Sequence, residues 1–182
     1  MNMNRIAKFE KVSYEQFKKD WLDTFAAKFN ELDDETIEVI IRQIYNDIKL
    51  PKRATSGSAG YDFFCPSNIA VAMNGTMKIP TGIRCKMDSG WVLKAYPRSG
   101  HGFKFGIHLA NTVGIIDEDY YGSDNEGHIF IKLVNDSVLS TAKPVEIKNG
   151  DAFCQGIFVP FGITVDDEAT EVRNGGFGST SR

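Results

Sequence analysis

Cysteine is scarce in this chain. The three present, Cys65, Cys85 and Cys154, are an odd number and none lies in a CxxC pair, which excludes a disulfide framework and a structural zinc site of that pattern. Base is not in excess either. Lys and Arg number 21 against 24 Asp and Glu, a net charge of −3, with no basic stripe. The phosphate-neutralising face that polynucleotide binding needs is therefore missing; no nucleic-acid partner is expected, and any nucleotide handled is a free one. No run reaches the roughly 18 apolar residues of a membrane span, and residues 1–10 carry charges instead of an apolar core, so neither a membrane association nor a signal peptide is expected. The expectation is a cytoplasmic protein. Only three histidines occur, His101, His108 and His128, and they are not at metal-ligand spacing. His101 sits in a polar glycine turn where it could touch a ligand; His108 and His128 read as strand residues. No Ser or Cys stands in an elbow motif that would make it a nucleophile. What remains is an ordinary globular composition, 42% hydrophobic and 25% charged over 182 residues with 17 glycines, enough for one domain with a small appendage and many tight turns.

The first fifty residues differ from the rest. Residues 6–12 alternate weakly, as a strand. Ser13 with Gln16 three residues on is a capping-box pattern, and Phe17, Trp21, Leu22, Phe25 and Phe29 then recur at helical spacing. A second helix is predicted to start at Asp33 or Asp34, where acidic residues suit the helix dipole, to carry Ile37, Ile40, Ile41, Ile44 and Ile48 on one face, and to end at Leu50-Pro51. The helical hairpin spans 15–49, and its aromatic stripe reads as packing. From Lys52 the period shortens to that of strands: Ile83, Cys85 and Met87; Ile129, Ile131 and Leu133; Val145 and Ile147; with more continuous runs at 91–96 and 156–161. Turn residues at Gly75, Gly82, Ser89-Gly90, Asn149-Gly150 and Pro160 punctuate them. This predicts an all-β, antiparallel, jelly-roll-like distorted barrel with an N-terminal helical hairpin insertion. The division expected is an appendage at 1–50, the barrel at 51–172 and a glycine-rich tail at 173–182.

Five segments could carry chemistry. The loop 54–62 is rich in small residues and ends in Asp62, which could hold a metal or its water or cap a turn. In the second, Arg98, Ser99 and Gly100 follow Pro97 and could cradle a phosphate. The third, 111–122, contains Asn111, Gly114, Ile115, Ile116, Asp117, Glu118, Asp119 and Tyr120. Its glycines suggest a hairpin whose backbone could mimic a base-pairing edge, and Asp117 could deprotonate a water, though three neighbouring carboxylates also suit a solvated acidic turn. The fourth, 150–155, ends in Gln155, an amide for a phosphate or ribose oxygen or for structure alone. The tail holds Arg173, Phe177, Gly178, Ser179 and Thr180: a planar charged fork, a stacking ring, close backbone approach and hydroxyls, the parts of a lid over a ligand with a base and phosphates, or of a frayed terminus.

In order and spacing these segments resemble the five motifs of the trimeric dUTPase family, across about residues 50 to 182. The resemblance implies a homotrimer of jelly rolls with active sites shared between subunits, hydrolysing dUTP to dUMP and pyrophosphate with Mg²⁺, which keeps uracil out of DNA and supplies dUMP for thymidylate synthesis. It implies that Asp117 activates the attacking water, that Asn111 and the backbone of Gly114, Ile115 and Ile116 read uracil, and that Tyr120 packs on deoxyribose. By the same resemblance Arg98, Ser99 and Gly100 cradle phosphate with Gln155 nearby, Asp62 holds Mg²⁺ through water, Phe177 stacks on uracil, and Arg173, Gly178, Ser179 and Thr180 clamp the γ-phosphate. The chain departs from the family pattern at Ala152, where a basic residue is usual, at Ser181, where glycine is common, and in a tail one residue shorter after Arg173. It also carries an insertion at 123–127 and the helical hairpin. Two other readings stand beside this one: dCTP deamination on the same fold, and a nucleotide-sensing module that docks a protein partner through the N-terminal helices or the loop 123–127.

Overall fold

The computed structural model describes residues 4–136, 144–171 and 173. In chain order the elements are β1 (Ala7–Lys11), α1 (Tyr14–Phe25), a 3-10 turn (Ala26–Lys28), α2 (Asp34–Asp47), β2 (Lys52–Arg53), β3 (Tyr61–Phe64), β4 (Ile69–Val71), β5 (Thr76–Pro80), β6 (Ile83–Met87), β7 (Trp91–Pro97), α3 (Ser99–Phe105), β8 (Ile107–Leu109), β9 (Gly114–Ile116), a second 3-10 turn (Glu118–Gly122), β10 (Phe130–Asn135), β11 (Val145–Ile147) and β12 (Ala152–Pro160). All strand pairs are antiparallel: β1 with β6, β4 with β11, a three-stranded sheet β5-β10-β8, and a five-stranded sheet β2-β3-β12-β7-β9. The result is the expected jelly-roll-like β fold with a helical hairpin inserted after its first strand.

The helices start where their side chains can satisfy the first-turn N–H groups. The Ser13 hydroxyl accepts from Gln16 N–H at 3.1 Å, and the Asp33 carboxylate accepts from Thr36 N–H at 2.8 Å, each worth about 1 kcal/mol. α2 stops at Asp47, one turn before the expected end at Leu50-Pro51, because Ile48 leaves helical geometry (ψ 124°) and buries its side chain against the barrel. Phe17, Trp21, Phe25, Phe29, Ile41 and Ile48 are buried and join one continuous apolar cluster with the barrel residues Ile79, Ile83, Leu93, Ile131 and Leu133. The helical stripe is thus core, and Gly82 marks the seam. At φ +73° it adopts a turn conformation few other residues tolerate, and a Cβ there would meet Ile48 Cδ1 at 2.3 Å.

Some expectations are corrected. Residues 99–105 form a helix, α3, where a glycine turn was predicted; the two internal glycines lower its intrinsic propensity, and Gly106 (φ +67°) closes it by donating to the Gly102 and His101 carbonyls. His128 is not a strand residue. It precedes β10 and is fully buried. Segment 111–122 is no hairpin of paired strands: β9 pairs with β7, and a 3-10 turn follows it. β4 and β9, three residues each, carry too little alternation to stand out in the sequence.

Candidate active site

Strand β7 is the spine on which the predicted residues are distributed. At its C-terminal end, Arg98 emerges just after Pro97. Its Nε lies 3.3 Å from Asp62 Oδ1 on β3, and its Nη1 donates to the Ala152 carbonyl at 3.3 Å. Gln155 is in register with both Asp62 and Tyr96, and its amide donates to the Pro97 carbonyl at 3.1 Å. The pairing of β12 with β3 shifts between Ala152 and Cys154, a bulge of the kind that re-aims a strand beside a site. The second, first and fourth segments therefore meet here. Ser99 and Gly100 are exposed at the start of α3, and with Arg98, His101, Lys104, Asp151 and Ala152 they border a cavity of about 420 Å³. Arg98 and Lys104 bring positive charge to this cavity, which the Asp151 carboxylate also lines; burial and the neighbouring Arg98 both lower the His101 pKa and favour its neutral ring.

At the other end of β7, Leu93 pairs with Ile116 and Ala95 with Gly114. β9 is the edge strand of its sheet, so one side of its backbone faces away from the ladder and presents N–H and C=O groups outward. Ile116 is buried, whereas Ile115 is 49% exposed, a large apolar side chain left for a ligand or a neighbouring chain. Asn111 is exposed in the turn before β9, where Thr112 takes a positive φ of 63°.

Beyond β9 the three carboxylates left undistinguished by the sequence separate into different surroundings. Glu118 accepts from Ser89 Oγ at 3.0 Å and Gly90 N–H at 2.6 Å, fastening the turn between β6 and β7. Asp119 accepts from Arg173 Nε at 2.9 Å. Asp117 is 46% exposed and paired with Arg173 Nη2, so its carboxylate remains within reach of water. The Arg173 guanidinium also lies 5.7 Å from the Tyr120 ring centre. Tyr120 is buried, and burial raises its pKa. Its hydroxyl donates to the His128 carbonyl at 2.8 Å. Phe177, Gly178, Ser179 and Thr180 lie outside the described residues.

The arrangement brings Asp62, Arg98, Ser99, Gly100 and Gln155 to one end of β7, and Asp117, Tyr120 and Arg173 to the other. Continuing the ladder register sets Asp117 beside Val92, six residues from Arg98, which is about 20 Å along a strand. The sequence named Glu118 and Asp119 as carboxylates competing with Asp117 without assigning them contacts, and it did not single out the polar groups behind Tyr120.

A family model described as dUTPase matches residues 46–181. The chain is 42% identical over 146 residues to the deoxyuridine 5′-triphosphate nucleotidohydrolase of Lactococcus lactis subsp. lactis, a match covering 79% of this chain and 95% of that one. The crystal structure of the dUTPase from Streptococcus mutans superposes with a TM-score of 0.58 at 36% identity, over 65% of this chain and 90% of that one. A mutant dUTPase from phage phi11 of S. aureus, described as coordinating a structural Mg(II) ion, shares the fold with a TM-score of 0.57 at 21% identity, covering 71% of this chain and 95% of that one.

Proposed function

This chain belongs to the dUTPase family, and from that premise we propose how its residues hydrolyse dUTP to dUMP and pyrophosphate. The carrying observation is the division of the site along β7. A general base must come within hydrogen-bond reach of the water attacking the α-phosphorus, while Arg98 belongs to the cradle for those same phosphates. At about 20 Å apart along one strand, the two groups cannot serve one nucleotide from a single chain. A neighbouring copy brings its Asp117 to this chain's Arg98, placing the sites at subunit boundaries; the resemblance to the trimeric family makes that unit a homotrimer.

In that unit uracil pairs with the open backbone edge of Gly114, Ile115 and Ile116, beside Asn111. Cytosine would offer a donor where uracil has an acceptor and leave buried groups unmatched, a discrimination that such sites make strongly. Tyr120 packs against deoxyribose. Arg98, the Ser99 hydroxyl and the Gly100 N–H take the phosphate oxygens, with Gln155 beside them; the first N–H groups of a helix have no partner within it and are suited to this. Asp117 takes a proton from the water in line with the α-phosphorus. Arg173, now on Asp117 and Asp119, exchanges these carboxylates for the γ-phosphate as the tail closes. Phe177 then stacks on uracil, and Gly178, Ser179 and Thr180 complete the clamp and exclude bulk water.

Among the described residues no three His, Cys, Asp or Glu side chains gather as a metal cage, and Asp62 is engaged with Arg98. This donor set fits an ion that arrives on the triphosphate and keeps its waters, as Mg²⁺ does; Asp62 would hold one of those waters. When bound, Mg²⁺ supplies neutralisation of the phosphate charge. The test is a crystal structure with a non-hydrolysable dUTP analogue and Mg²⁺. Asp117 of one copy and Arg98 of another should flank one nucleotide; both from the same copy, or neither, would overturn the proposal.

A further inference from the structure

All but the end of the helical hairpin lies outside the 46–181 span that the dUTPase family model matches, yet the hairpin is joined by hydrogen bonds to the ring on which the sugar would rest. Asp20, on α1, receives a hydrogen bond from His128 Nδ1 at 2.6 Å, and Gln16 Nε2 donates to the same carboxylate oxygen at 2.8 Å. Burial alone would raise the Asp20 pKa, but these bonds outweigh it and hold the group below its ordinary value. Across the imidazole, Gly82 N–H donates to His128 Nε2 at 2.8 Å. That bond fixes Nε2 as acceptor and Nδ1–H as the donor to Asp20. The ring is thus pinned from both sides, and the backbone of His128 with it. The His128 carbonyl accepts from the Tyr120 hydroxyl at 2.8 Å, and Asn125 Nδ2 donates to the same hydroxyl at 2.9 Å.

The inserted loop that supplies Asn125 is itself fastened to α1. Both carboxylate oxygens of Glu126 accept from Ser13, one from its N–H at 2.7 Å and one from its hydroxyl at 2.6 Å. Glu126 is held at φ +57°, a conformation that non-glycine residues keep only where the surroundings impose it. Gly127 follows at φ +71°, where a Cβ would meet the Tyr120 carbonyl at 2.7 Å. The two elements that depart from the minimal family chain, hairpin and loop, therefore grip each other behind one side chain.

We propose that Asp20, His128 and Asn125 are positioning residues that set the height of the Tyr120 ring, and with it the exclusion of a 2′-hydroxyl. The proposal rests on the reading of Tyr120 as the deoxyribose platform. Tight discrimination between deoxyribose and ribose needs a wall that does not yield by a fraction of an ångström, and a phenol ring anchored only by packing can tilt.

The readout is the ratio of kcat/KM for dUTP over UTP, with far-UV circular dichroism and oligomer mass recorded for every variant. Tyr120→Ala tests the underlying reading and should lower the ratio most. Tyr120→Phe, Asn125→Ala and Asp20→Ala should each lower it roughly tenfold, the scale at which pocket contacts discriminate. The double variant Tyr120→Phe/Asn125→Ala should be no worse than Tyr120→Phe alone, since the Asn125 bond to the ring ends on the hydroxyl that Phe lacks. Asp20→Asn, which keeps an acceptor for His128, should hold the parent ratio; where Asp20→Ala is too unstable to assay, Asn125→Ala and Tyr120→Phe decide the matter. A ratio that falls in Tyr120→Ala but stays at the parent value in Asn125→Ala and Tyr120→Phe overturns the brace and leaves the site reading intact. A ratio unchanged in Tyr120→Ala overturns both.

Discussion

The two ends of β7 are built on opposite plans. At the Arg98 end the arginine is half open to solvent beside a cavity, held by one bond to the Ala152 backbone and one ion pair with Asp62 at 3.3 Å. At the Tyr120 end the ring is buried, its hydroxyl is bonded twice, and the supporting loop is tied to α1 through Ser13 and Asp20. Under the proposed function the difference follows from what each end has to do. Triphosphate oxygens are charged and hydrated, and groups that bind them must approach and release. A sugar platform works by refusing space, which calls for rigid packing and satisfied polar groups. The N-cap of the hairpin and the loop 123–127, read from sequence as surfaces for a partner, are joined by the two Ser13–Glu126 hydrogen bonds.

This contrast can be broken at several points. The largest effect is expected at Asp117. Asp117→Asn should retain dUTP binding and lose about 10²- to 10⁴-fold in kcat, the range for removing a general base; near-parent turnover would take the chemistry away from that end. Removing residues 173–182 should cost on the order of 100-fold in kcat, as loss of transition-state donors does, with thermal stability unchanged; an unaltered kcat would leave the tail without a catalytic role. Arg98→Lys should raise KM for dUTP roughly tenfold, because a point charge cannot reproduce the planar fork, while leaving dUTP-over-UTP selectivity alone. A selectivity change in that variant would blur the division between the two ends. The smallest effect is thermodynamic. Ser13→Ala should lower unfolding free energy by about 0.5–2 kcal/mol through the lost cap, read by denaturant titration, without altering KM for dUTP at the phosphate end.

How much of this was legible beforehand differs by element. The strands with clear alternation, β6, β10 and β11, and both helix starts were readable because capping side chains and periodic apolar residues act locally. α3 was not, since its two glycines argue against helix and only its tertiary setting favours it. His128 looked like any strand histidine; nothing local marks its pairing with Asp20, more than a hundred residues away. The same limit applies to the site. The five segments could be named from residue type and spacing, but the sequence could not separate Glu118, which fastens a turn, from Asp117 and Asp119, which meet Arg173. Nor could it reveal that one chain keeps Asp117 and Arg98 at opposite ends of a strand.

That separation is the central claim, and subunit mixing tests it most directly. Arg98→Ala and Asp117→Asn, each nearly inactive alone, should be unfolded together and refolded at equal amounts. If sites are shared between copies, some will combine an intact Arg98 from one chain with an intact Asp117 from another, and about a quarter of parent activity should return in random trimers. Pyrophosphate release that stays at the level of the separate variants, in mixed trimers confirmed by mass, would contradict the account.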